Sequence, residues 1–159
     1  MWILGKSALW LMLAAAAVVA GGETKSDFSG TWKLNLAKSR LEIDPPTKTI
    51  FIIEHHDPKF KVTRTHTWGE KSDTWSFEST TDGKEHYQKD GEFESWTRVY
   101  WMGEELVLDM KVKYRGEEGT NVVHYRLTDG GKTFVAAEWF HLPSHQHHNL
   151  WVFDRESGR

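Results

Sequence analysis

The sequence contains no cysteine and only four prolines among its 159 residues. The first absence excludes disulfides, thiolate nucleophiles and thiolate metal sites. Neither sign of charge dominates: 20 lysines and arginines stand against 23 aspartates and glutamates, for a net charge of −3. That balance offers no basic field for nucleic acid and no polybasic patch for a membrane surface. No apolar run reaches the roughly 20 residues that a membrane-crossing helix needs. After Gly22 there is no useful stretch of helical periodicity. Gly-x-Ser-x-Gly, a phosphate-binding glycine loop and His-Glu-x-x-His are also missing. No catalytic residue, cofactor or dedicated metal site is therefore expected.

The first 20 residues have a character of their own. One positive charge, Lys6, precedes an apolar run of 13 residues from Ala8 to Ala20. Small side chains at Val18 and Ala20 sit at the −3 and −1 positions of a cut before Gly21. This is the three-part layout of a secretory signal peptide. The expectation is a leader over 1–20, a flexible tail over 21–26 and a single domain over 27–157. The product would be periplasmic or secreted, with no integral membrane segment once the leader is removed. Cleavage leaves 139 residues (159 less 20) and, with Lys6 gone, a net charge of −4. That length suits one domain with its own core.

The rest of the chain alternates with period two. Strands are predicted near 28–36, 47–55, 59–68, 73–80, 84–88, 92–101, 104–115, 120–128, 132–142 and 147–154. Turn residues separate them, among them Asp57-Pro58, Gly69, Asp82-Gly83, Asp90-Gly91, Gly103, Gly116 and Asp129-Gly130-Gly131. Connections this short cannot house the crossovers of a parallel sheet. The fold class is all-β, an antiparallel up-and-down barrel of about 8–10 strands.

Two hairpins allow a register to be argued. Leu106, Leu108, Met110, Val112 and Tyr114 form one apolar face. A two-residue turn at Met102-Gly103 would set Val99 against Leu106, Thr97 against Leu108 and Ser95 against Met110. Glu94 would meet Lys111 on the other face, an opposite-charge pair. Small Ser95 and Thr97 would leave room inside. In the second hairpin a loop over 69–72 would set His66 against Trp75, Arg64 against Phe77 and Val62 against Ser79. Arg64 and His66 then share a face with Phe60, Val62, Trp75 and Phe77. A charge on an apolar face needs a partner.

Residues Phe28-Ser29-Gly30-Thr31-Trp32-Lys33-Leu34 resemble the opening strand of the lipocalin and fatty-acid-binding-protein superfamily, and the continuation through Ser39 resembles uncharacterised exported bacterial proteins of that type. The resemblance implies a lipocalin-like barrel around a ligand cavity. It also implies that a basic residue at the end of the last strand, here Arg155, packs over Trp32. Fatty-acid-binding proteins insert two helices after the first strand, and residues 37–46, with Pro45-Pro46, are too few for them. Inward arginines hold carboxylates in these relatives, which implies an anion anchor at Arg64; the alternative is an ion pair with a carboxylate such as Asp73.

The predicted partner is a small hydrophobic ligand, an anionic one among the candidates, held by Arg64, His66, Trp75, Phe77, Ser95, Thr97, Leu108 and Met110. Two other readings stay open. Trp68, Trp75, Trp96, Trp101, Trp139 and Trp151 could serve a carbohydrate-binding module, with Trp96 the best candidate for an exposed aromatic. The tract His141–His148 could serve a metal- or haem-binding barrel if the hairpin set His141 opposite His148.

Overall fold

Every described connection between strands is a tight turn or short loop except one, and the sheet is built accordingly. The computed structural model describes residues 25–157, so the leader expected over 1–20 and most of the expected tail lie outside the described residues. Ten strands follow in order: β1 (Gly30–Leu34), β2 (Lys48–His56), β3 (Lys59–Trp68), β4 (Lys71–Thr80), β5 (Asp82–Asp90), β6 (Phe93–Met102), β7 (Glu105–Tyr114), β8 (Glu117–Thr128), β9 (Thr133–Leu142) and β10 (His145–Arg155). They form one antiparallel sheet in the order β4-β3-β2-β1-β10-β9-β8-β7-β6-β5. A single 3-10 turn at Asp129–Gly131 is the one helical element among the described residues. No helix there is long and apolar enough to cross a membrane.

The sheet curls into a nearly closed, up-and-down barrel, as the alternation implies. The first and last strands meet, with Trp32 paired to Arg155 and Leu34 to Phe153. Closure stops short between β4 and β5, which form no ladder. Side chains reach across instead: Gln88 Nε2 donates to the Ser76 carbonyl at 3.0 Å, and Thr80 Oγ1 lies 3.3 Å from His86 Nε2.

Gly-Glu dipeptides make three of the hairpin turns. Gly69-Glu70, Gly91-Glu92 and Gly103-Glu104 each link two strands with a two-residue loop. The glycines take φ of 57°, 58° and 61°. A positive φ at the first loop position is what a tight hairpin needs to match strand twist, and glycine takes it without steric cost.

These turns correct the expected registers. Met102 pairs with Glu105, so Val99 faces Leu108, Thr97 faces Met110 and Ser95 faces Val112; Glu94 faces Lys113, and Trp96 faces Lys111. In the β3–β4 hairpin Trp68 pairs with Lys71, so Arg64 faces Trp75, His66 faces Asp73 and Val62 faces Phe77. In the last hairpin Leu142 pairs with His145 around Pro143-Ser144, so His141 faces Gln146 and His148 faces Trp139. Each pairing is displaced by two residues from the expectation. Faces are preserved and partners are not.

The core fills one end of the barrel with rings. Phe134 lies 4.8–6.0 Å, centroid to centroid, from Phe28, Trp32, Phe51, Tyr125 and Phe153. Burial of this cluster is the main stabilising contribution, at about 25 cal/mol per Å² of apolar surface. The exceptional connection, residues 35–47, runs over β10, where Arg40 and Leu150 bridge their backbones. It delivers Leu41 and Ile43 to the core's rim.

Candidate ligand-binding lumen

At the end away from the aromatic plug the strands leave a cavity of about 400 Å³. This lies within the range of small-molecule pockets. Phe51, Tyr125 and Ala136 line its inner part; Trp68, Phe93, Phe140 and Ile43 line it nearer the turns.

Eight residues are expected at this site from the sequence. Arg64, His66, Trp75, Leu108 and Met110 line the cavity. Phe77, Ser95 and Thr97 are buried but lie outside its lining. Phe77 stacks on Trp75 with ring planes 6° apart. The corrected register sets Met110 opposite Thr97, so the lumen at that level presents the longer side chain.

Arg64 is not a free cation. Its Nη2 donates to Asp73 Oδ2 at 3.1 Å, and its guanidinium lies 5.6 Å from the Trp75 ring centroid. Its Nε is buried without a partner. The pairing of Arg64 with Trp75 and of His66 with Asp73 brings these four side chains together. His66 is buried, stacks on Trp151 at 5.5 Å, and shares a 2.7 Å hydrogen bond with Thr49 through Nδ1. Burial, and then the charge of Arg64, depress its pKa to about 4, so the ring is neutral at pH 7.

Glu138 also lines the cavity and is not among those eight. Glu138 projects inward from β9 in the row Phe134, Ala136, Glu138, Phe140, Leu142. Its Oε2 accepts hydrogen bonds from Asn149 Nδ2 and Trp151 Nε1, both at 2.9 Å, and lies 3.6 Å from His147 Nε2. Its Oε1 accepts one from Asn121 Nδ2 at 3.2 Å. Burial alone would raise its pKa; the donors of His147, Asn149 and Trp151 outweigh burial and bring it down to about 2. The signal was available. Glu138 breaks an apolar alternation just as Arg64 does.

The other candidates divide between the lumen and the rest of the barrel. Trp68, Trp75 and Trp151 line the lumen, while Trp139 is 43% exposed on the outer face. Trp96 is half-buried against Tyr87, with ring centroids 5.3 Å apart. Trp101 donates from Nε1 to Asp57 at 2.9 Å, and Lys25 Nζ, in the segment expected to be loose, sits 5.1 Å from its ring centroid. His141 and His148 are not opposite each other; instead His145 Nε2 and His147 Nδ1 meet at 3.0 Å. Among the described residues no three metal-ligating side chains converge.

No family model matches the chain, and no curated protein does. Solved structures do. Human cRBP IV superposes with a TM-score of 0.56 at 17% identity, over 82% of this chain and 99% of that one. The zebrafish ileal bile acid-binding protein, solved with cholic acid, gives 0.56 at 13%, over 81% and 98%. An abundant heat soluble (SAHS) protein from Ramazzottius varieornatus gives 0.57 at 11%, over 84% and 98%. These likenesses establish the fold.

Proposed function

The fold is the calycin-type barrel of the lipocalins and fatty-acid-binding proteins, and from that premise we propose that the chain is an exported carrier holding one small, mostly apolar molecule in its lumen. The observation that carries this reading is the cavity itself: about 400 Å³, walled by aromatic and aliphatic side chains, with a few polar groups at fixed places. Such a composition lets apolar contact supply affinity while the polar groups set orientation. Structural neighbours whose names state a ligand, such as the bile acid-binding protein, lend the reading weight.

Filling the lumen tests it. Trp68, Trp75 and Trp151 report on the cavity, so their emission should change when a neutral ligand such as 1-octanol is titrated in. Met110→Trp and Ala136→Trp each place a large side chain in the space and should weaken binding by about tenfold or more. Trp139→Ala, on the outer face, should leave it unchanged. Octanol binding that ignores both fillings would sink the lumen as the site.

A further inference from the structure

The charges around the lumen point to the class of ligand, given the lumen-binding reading above. Its lining holds one arginine and three carboxylates, Arg64 against Asp73, Asp90 and Glu138. Arg64 is already opposed by Asp73 at 3.1 Å. Glu138 has no lysine or arginine partner; neutral donors from Asn121, Asn149 and Trp151 hold its charge, and His147 Nε2 stands 3.6 Å from its Oε2. The two oxygens are unequally served. Oε2 takes two strong bonds, whereas Oε1 takes only the 3.2 Å bond from Asn121 and keeps a lone pair. Its side chain is 17% exposed in a wall that faces the cavity.

A ligand carboxylate entering here would be brought close to a buried like charge in a low-dielectric space, where repulsion is poorly screened. An ammonium would meet the opposite situation. It would donate to Glu138 Oε1 in a wall that also holds Trp151, Phe140 and Tyr125, and aromatic rings favour cations. We propose that the lumen selects a protonated amine on an apolar body, with the ammonium on Glu138 and the hydrocarbon toward Phe51 and Ala136.

Three ligands of one chain length separate the possibilities: octylamine, 1-octanol and octanoate, titrated at pH 7 by tryptophan emission. Octylamine should bind about tenfold tighter than octanol, and octanoate the weakest of the three. Glu138→Gln should bring the amine to within about threefold of the alcohol while leaving the alcohol unchanged. That unchanged alcohol is the control for a folded lumen. Should the variant not fold, Asp73→Asn, at an exposed position, removes a negative charge and frees Arg64; it should weaken the amine and tighten octanoate, each by about threefold. Octanoate binding as tightly as octylamine in the native chain, or an amine preference surviving Glu138→Gln, overturns the charge assignment. Failure of all three ligands to bind overturns the lumen reading instead.

Discussion

The guanidinium carbon of Arg155 lies 4.1 Å from the ring centroid of Trp32, its partner across the β1–β10 ladder. The same side chain donates from Nη1 to the Ser29 carbonyl at 2.7 Å and from Nε to the Gly131 carbonyl at 3.0 Å. It thus ties the chain's first strand, its last strand and the turn before β9 in one place. Arg155→Ala should lower stability by about 1–3 kcal/mol, combining a cation–π contact with charged hydrogen bonds. Arg155→Lys should recover only part, because an ammonium cannot reach both carbonyls in one plane. Urea unfolding of the two variants beside the native protein measures both; equal stability of all three would contradict the role.

Gly30 makes room for that arrangement. Its φ is +142°, and a Cβ there would stand 2.5 Å from Arg155 Nη1. Gly30→Ala should therefore destabilise by about 1–3 kcal/mol through backbone strain and displacement of the guanidinium. In an Arg155→Ala background the steric part should disappear, so a double-mutant cycle should show coupling between the two positions.

His66 sets a pH dependence with a defined sign. Its folded pKa of about 4 lies below the ordinary 6.5, so the unfolded chain takes up a proton that the native lumen refuses. The His66 contribution to stability should fall as pH drops from about 6.5 to about 4, by at most about 3 kcal/mol, and that contribution levels off below. Glu138 adds a second window: its folded pKa of about 2 lies below 4.5, so its contribution is lost as pH falls from about 4.5 toward 2. Denaturant midpoints of His66→Gln across pH 4–7 should be flatter than those of the native protein. An unchanged slope would show that His66 is not the titrating group.

Export is checked by mass. If residues 1–20 are a cleaved leader, protein recovered from its own host should begin at about residue 21–23. A soluble envelope product beginning at Met1 would end that proposal.

Alternation along the chain makes the barrel and its inner face legible in the sequence. Ten strands were readable because each half-buried strand writes its two faces in period two. Register was harder for a physical reason. A slip of two residues keeps every side chain on its own face and leaves the hydrophobic pattern untouched. Only the turn residues and cross-strand charges can detect it. The charges failed to discriminate here: Glu94 meets lysine in either register, Lys111 in the one expected and Lys113 in the one found. The turns carried the missing information, since Gly-Glu recurs at three hairpin tips with glycine first. The same two-residue slip separates the expected His141–His148 pair from the observed His141–Gln146 pair. Arg64 stands out in the sequence because a charge interrupts an apolar face, and Glu138 on β9 interrupts one too. Its companions Asn121, Asn149 and His147 come from β8 and β10, and only the closed sheet gathers them.

Eight of the nine ladders in this sheet join strands that are neighbours in sequence, and one, β1 with β10, does not. Local zippering can therefore raise two separate ribbons, β1–β4 and β5–β10, at small entropic cost. Only the seam between the chain's two ends requires a loop of more than a hundred residues to close, and Trp32 and Arg155 sit on that seam. A circular permutant would redistribute this cost. Linking residue 157 to residue 25 turns the seam into a hairpin, and opening the chain at Thr81 breaks no ladder, because β4 and β5 share none. Strand order would then match chain order throughout, and such a chain should close its barrel faster than the natural one.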